Sequence, residues 1–483
     1  MNPPTRLAAL ALIASLTALP ARAADPALTI YNQNFAVLRE TVPLELKAGV
    51  NDVRFAGVTA QVEPDSVILR DPAGQVALQI LEQNYRNDPV SQELLLSLFE
   101  GQTINFVEHE PQKPDRTVAG KVVRSGYVPG GENVQPIIEV EGKLQFSLPG
   151  EPRFPTLGAD TQLKPALSWK LNAPAAAKLD AELAYITGGL TWEASYNIVA
   201  PEAEDVIDLV GWITMKNESG ATFANAKIKL MAGNVNKVQP DVEKPVGMAM
   251  EAAAAPAAAA PVVTEKAFDE FHLYTLARPA TLRDKETKQV EFLRATGVKA
   301  ARLFIYDPIM KDNGWQPGNN VGADADYGTT SSKKVQVYRE FKNSEANHLG
   351  IPLPKGRVRF YSQDEDRQLE FVGENNIDHT PKDELVRLYV GDSFDLVGER
   401  KRVDFQVNEA NHRASESFEI KLRNRKKRPA EIRVVEHLYR WTNWTVKEKS
   451  QDFTKTDAQT IEFQVPLKPD EEKTVTYKVH YTW

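Results

Sequence analysis

Alternation of apolar and polar residues dominates this chain. Val42, Leu44 and Leu46 alternate with Pro43, Glu45 and Lys47, and Val53, Phe55, Val67, Leu69, Val76, Leu78 and Ile80 continue the pattern. Residues 28–31 and 35–38 are short apolar runs separated by Asn32-Gln33-Asn34, a turn signal. One stretch breaks the period. Asp88 can cap a helix, Pro89 suits its first position, Leu94, Leu95 and Leu98 form one stripe, and Gly101 ends it. Short strands follow at 103–107, 121–125, 137–140 and 144–146, a spacing suited to a small closed barrel. Longer ones follow at 181–185, 192–198, 206–216 and 226–233, with Gly188-Gly189 at the first tip. Residues 251–261, EAAAAPAAAAP, have no apolar face and carry two prolines, so they read as a tether. Beyond them the strand pattern resumes at 271–276 and runs to the C-terminus, with 385–390 and 401–407 read as separate strands.

The pattern predicts an all-β chain of several antiparallel β-sandwich and small-barrel modules, with one short helix near residues 89–99. The divisions are an N-terminal β module at 24–87 and a helix plus small-barrel module at 88–150. A sandwich part at 165–239, an Ala/Pro-rich linker at 240–264 and a C-terminal sandwich at 265–483 follow.

The first residues add a compartment. Arg6, an apolar run over residues 7–19, Pro20 and then Ala21-Arg22-Ala23 form the pattern of a signal peptide cleaved near Ala23. That predicts a periplasmic or cell-surface protein. No later stretch approaches the length of a spanning helix, so membrane association is left open and a spanning helix is not expected. The final strand, with Val475, Tyr477, Val479, Tyr481 and Trp483 alternating, leaves an outer-membrane β-barrel open as an alternative.

Composition narrows the chemistry. The 483 residues carry 58 Lys and Arg against 66 Asp and Glu, a net charge of -8. An acidic chain is a poor nucleic-acid binder. The absence of cysteine excludes disulfides, iron–sulfur clusters, thiolate zinc sites and cysteine nucleophiles. No Gly-x-Ser-x-Gly elbow, His-Glu-x-x-His or Walker-type phosphate loop is present, and no cofactor or metal is expected. Asp324 and Asp326 open like a calcium loop but lack its later glutamate, so a solvated hairpin loop is the plainer reading.

Candidate contact residues remain. Trp315 lies in a polar, glycine-rich loop where it can stack on a sugar, dock on a partner or fold back over its sheet. Trp441 and Trp444 form a possible second aromatic patch. Arg423, Arg425, Lys426, Lys427 and Arg428 form a basic run suited to anionic headgroups or polysaccharide, or to a solvated hairpin turn. His379, in a loop before a strand, is a candidate base or ligand, or a turn histidine bonded to backbone.

Several segments resemble one bacterial family. They are Tyr185 through Trp192 to Tyr196, Gly211-Trp212 through Asn217 to Thr222, residues 226–235, 271–276 and 287–290. The last is the block from 356–361 through Gly373-Glu374 and His379-Thr380-Pro381 to Asp395. Together they resemble the domain of unknown function 4139 family, which includes mucoidy inhibitor A-like proteins. Residues 28–70 are similar to the β module found beside that domain, but the heptad-patterned coiled coil of that architecture is missing. The resemblance implies an exported, β-rich envelope protein and supplies no catalytic residue. The expected function is a non-catalytic envelope protein that binds a protein partner or has a structural role. A carbohydrate-binding or carbohydrate-active envelope protein is the first alternative and the barrel the second.

Overall fold

The computed structural model describes all residues except 1–24, 88–89, 110–113, 129–130, 158–163, 202–204, 234, 238–262, 310–324, 326–327, 364–365 and 367. The signal peptide, Asp88, Pro89, Trp315, Asp324, Asp326 and most of the linker therefore lie outside the described residues.

The described chain is all-β apart from one α-helix and a few 3-10 turns. An eight-stranded sheet takes, in spatial order, Val263–Phe268, Phe271–Leu276, Phe223–Ala232, Ala27–Tyr31, Phe35–Leu46, Ala177–Gly188 and Ile68–Arg70, with Ala280–Leu282 added to the third. The N-terminal strands thus sit inside a sheet built largely from residues after 176. A three-stranded sheet places Ala166–Ala173 between Gly49–Ala56 and Gln79–Arg86. A central five-stranded sheet runs Glu286–Lys299, Val206–Asn217, Leu190–Pro201, Gly356–Gln363, Leu369–Ile377. One continuous apolar core joins these three sheets. The hairpin that passes from the first sheet to the central one turns at Gly189, whose φ of 76° suits glycine.

The alternation places most side chains. In Phe35–Leu46 the inward series is Ala36, Leu38, Glu40, Val42, Leu44 and Leu46, and all but Glu40 are apolar and buried. The Glu40 Oε2 has no hydrogen-bond partner, and burial pushes its carboxyl up to about 7. The tyrosines electrostatically linked around it are Tyr185 and, beyond that, Tyr85.

The helix is Gln92–Ser97, capped by Ser91, whose side chain accepts from the Leu94 N–H at 3.1 Å. Leu96 and Phe99 pack on Ile104, Phe106, Val122 and Ile138 of a five-stranded sheet. That sheet corrects the expected small barrel. Its edge strands Lys143–Gln145 and Glu151–Arg153 have three residues each and do not pair, so the sheet stays open.

The C-terminal nine-stranded sheet runs Asn443–Lys449, Glu472–Thr482, Arg413–Asn424, Leu385–Asn408, Lys334–Lys342, Ala301–Tyr306, Ala430–His437, Thr460–Leu467, Thr454–Lys455. Its two halves bury Phe418, Ile420 and Val479 together with Ile432, Val434 and Phe463 in a second core. Among the described residues no sheet closes on itself, so the final strand closes no barrel: Glu472–Thr482 is flanked by Arg413–Asn424 and Asn443–Lys449 inside an open sheet.

Three further corrections concern connectivity. The sheets are mixed, because Ala27–Tyr31 pairs parallel with Phe223–Ala232, Leu190–Pro201 with Gly356–Gln363, and Ala301–Tyr306 with Ala430–His437. Val263 and Thr264, read as linker, begin a strand: Val263 pairs with Leu276 and is buried. Leu385–Asn408 is one strand of 24 residues, with register shifts against both neighbouring strands. Its first half supplies Val386 and Leu388 to the first core, and Leu396 belongs to the second.

Candidate functional site

The central sheet presents one face to solvent. In Leu190–Pro201, Trp192, Ala194, Tyr196 and Ile198 are buried, so Thr191, Glu193, Ser195, Asn197 and Val199 point outward. Pairing extends this face in rows. Trp212 lies opposite Ser195, which lies opposite Arg357. Val210, Asn197 and Arg359 form the next row, with Glu374 beyond at 3.9 Å from Arg359. Val199, Tyr361 and Phe371 form the third, and the Tyr361 and Phe371 rings meet edge to face at 6.0 Å. Phe371 is 56% exposed, and Arg357 is also exposed.

At one end this face deepens into a cleft of about 220 Å³. Asn32, Thr191, Glu193, Thr214, Lys216, Lys355 and His379 bring polar groups to its wall, and Trp192, Ala194 and Pro354 complete it. Buried aromatics set the wall in place. The Trp192 Nε1–H donates to the Met231 carbonyl at 3.1 Å. The hydroxyls of Tyr196 and Tyr274 donate to the carbonyls of Pro354 and Pro352 at 2.6 and 2.9 Å. Those bonds hold the segment that carries Lys355. Leu353 and Thr380 exchange both backbone bonds, at 2.8 and 2.9 Å, which brings His379 beside it.

The geometry gives His379 a definite role. Its Nδ1 accepts the Lys355 backbone N–H at 3.2 Å. In the neutral ring the proton is therefore on Nε2. Burial, then the Lys355 charge, holds its pKa below the ordinary histidine value, so the ring is uncharged at neutral pH. Its one lone pair is already used by backbone. The ring is bonded to backbone through Nδ1, and its Nε2–H is left to donate.

The second core holds a buried ionic cluster. The Arg400 Nε lies 2.9 and 3.0 Å from the two Glu436 oxygens, its NH1 donates to the Gly328 carbonyl at 2.6 Å, and its guanidinium covers the Phe418 ring at 3.9 Å. The Tyr477 hydroxyl donates to Glu436. Burial opposes the Arg400 charge, but Glu436 more than offsets it and raises the pKa. Arg440 pairs with Glu416 at 2.8 Å. Nearby, His437 joins Asp307 at 3.0 Å and Tyr439 at 2.9 Å. These contacts bind strands to one another and leave a void about one water wide.

The other sequence candidates are dispersed. Trp441 stacks on Trp483, with centroids 3.9 Å apart and planes at 3°. Trp444 instead donates its Nε1–H to the Ala458 carbonyl at 2.9 Å, with Lys455 over its ring. The basic run is a turn built on buried Asn424, whose amide donates to the Arg428 and Lys468 carbonyls at 2.9 and 3.0 Å and accepts from the Lys426 N–H. Arg423 pairs with Glu399 at 3.1 Å and Lys426 covers Phe304, while Arg425, Lys427 and Arg428 are exposed. Among the described candidates, only His379 lies at the cleft. Sequence reasoning missed Asn32, Glu193, Thr214, Lys216, Lys355 and Trp212. The alternation marks most of them as outward, but no local signal says that strands some 160 residues apart are neighbours.

A family described as Domain of unknown function (DUF4139) matches residues 181–483. The chain belongs to that family. No curated protein matches the chain. The DUF4139 region supplies every cleft residue except Asn32, which comes from the turn after the first N-terminal strand. Residues 28–70 lie outside the matched span.

Proposed function

We propose that the chain is an exported, non-catalytic protein of the bacterial cell envelope that binds an envelope component through the outer face of the central sheet. One observation carries this reading: Trp212, Tyr361 and Phe371 share a solvent-facing sheet surface with Arg357, and that surface runs into a polar cleft. Exposed aromatics beside arginine are the composition of contact surfaces. The export pattern at residues 1–23 supports the location, and the occupied Nδ1 of His379 favours binding over catalysis. The test is a photo-cross-linker at Phe371 in living cells, combined with fractionation of the envelope. The expected result is a reproducible envelope-derived adduct from a mature chain lacking residues 1–23. Retention of the full-length chain in the cytoplasm, or cross-links no different from those at a site on another sheet, would sink the reading.

A further inference from the structure

We infer that the cleft beside His379 takes one residue of an acidic polysaccharide, with its carboxylate held between Lys216 and Lys355. This rests on reading the central sheet's outer face as a binding surface and names the ligand that surface fits.

The charges are the first support. Among the described residues, Lys216, Lys355 and Arg357 form no ion pair, although the chain as a whole is acidic. Register brings them together. Lys216 lies opposite Thr191, Ser195 lies opposite Arg357, and Lys355 is one residue before Gly356, which faces Ala194. Other acids on the face are engaged: Glu374 lies by Arg359, and Glu291 by Arg294 at 2.5 Å. Only Glu193 of the cleft remains unpaired. Within the lining two lysines stand against one carboxylate, with Asp378 next to His379 outside it, and that lining favours an anion.

The neutral polar groups are the second support. The cleft offers the Asn32 amide, the Thr191 and Thr214 hydroxyls, the Nε2–H of His379 and the Glu193 carboxylate. Thr214 Oγ1 already accepts from Gln289 at 3.1 Å, and its O–H remains free to donate. Interleaved donors and acceptors in one concave site match a ring of hydroxyls better than an apolar ligand. The third support is direction. From the cleft the face continues past Trp212 and Arg357 to Tyr361, a strip of aromatic and cationic side chains along which further units of a linear glycan can lie.

The test is calorimetric titration of the purified chain with oligogalacturonate, a linear glycan with one carboxylate per sugar. Neutral maltooligosaccharide and poly-glutamate serve as controls. Oligogalacturonate should bind, more weakly as salt is raised, and more tightly than either control. The Lys216→Ala, Lys355→Ala double variant should lose about tenfold or more in affinity, as expected from lost charge-assisted hydrogen bonds. Glu193→Gln should tighten binding by about threefold by removing a like charge. Both changes are at exposed positions, and an unchanged circular dichroism melt would confirm that the fold survives. Equal binding of poly-glutamate would overturn the glycan assignment. Affinity unchanged in the double variant would overturn the site. If oligogalacturonate fails while the Phe371 cross-linker still captures an envelope component, the glycan falls and the binding-face reading stands. Galacturonate binding with no specific cross-link keeps the cleft as a glycan site and removes the envelope partner from the proposed function.

Discussion

Replacing Glu40 by glutamine should make the first core insensitive to pH where the native protein is not. Glu40 occupies an inward position between Leu38 and Val42, with Oε2 unpartnered. Its carboxyl is raised from 4.5 to about 7 by burial. Below pH 4.5 it is protonated in both folded and unfolded chains and costs nothing. As pH rises towards 7 the unfolded chain loses the proton first, so stability falls by about 1.4 kcal/mol per pH unit. Above pH 7 the loss levels off at roughly 3 kcal/mol, the product of that slope and the shift. Glutamine keeps the shape and removes the ionisation. The stability difference between Glu40→Gln and the native protein should therefore be below about 1 kcal/mol at pH 5 and near 3 kcal/mol at pH 8. With two large cores, a single global transition cannot be assumed. The suitable assay is hydrogen exchange of the amides in Phe35–Leu46 and its partner Ala177–Gly188, read at several pH values and corrected for intrinsic rates. A difference that does not change with pH would refute the reasoning, because it would mean that the carboxyl is solvated or paired.

Two further changes test the second core and the basic turn. Arg400→Ala leaves Glu436 buried without its counter-charge and should cost about 3–5 kcal/mol, whereas Arg400→Met with Glu436→Leu should recover most of that loss, both read from hydrogen exchange of the amides in Ala430–His437 and Thr460–Leu467. Asn424→Ala should cost about 2 kcal/mol by removing the bonds that the buried amide makes across the turn, while Arg425→Ser with Lys427→Ser should stay within about 0.5 kcal/mol in the same assay. A larger loss from the charge changes would show that the side chains, and not the asparagine, build the turn.

Much of the fold was legible because alternation reports one face at a time. The runs around Trp192, Leu209 and Ile228 are strands with the apolar members buried. Glu40 was legible in principle as well, as a charge standing in an apolar series. Pairing was not. Gly356 comes to lie against Ala194 through a parallel contact that no turn signal announces. In sequence, Gly391-Asp392-Ser393 and Gly398 have the composition of breaks within the long strand. It continues because the Tyr306 ring packs where a Gly398 side chain would be, so the glycine serves close packing rather than a turn. The cleft was the least legible feature. His379 could be named from its loop, but Lys216 and Lys355 acquire meaning only once two distant strands are side by side.

The strand Leu385–Asn408 limits how this chain can be dissected. Domains are ordinarily separable where few contacts cross, in exposed linkers. Here one unbroken element pairs with Lys334–Lys342 along its first part and with Arg413–Asn424 along its second. A fragment ending before it strips Val386 and Leu388 from one core, and a fragment starting after it strips Leu396 from the other. A cut at either end of the strand leaves one half without part of its hydrophobic interior.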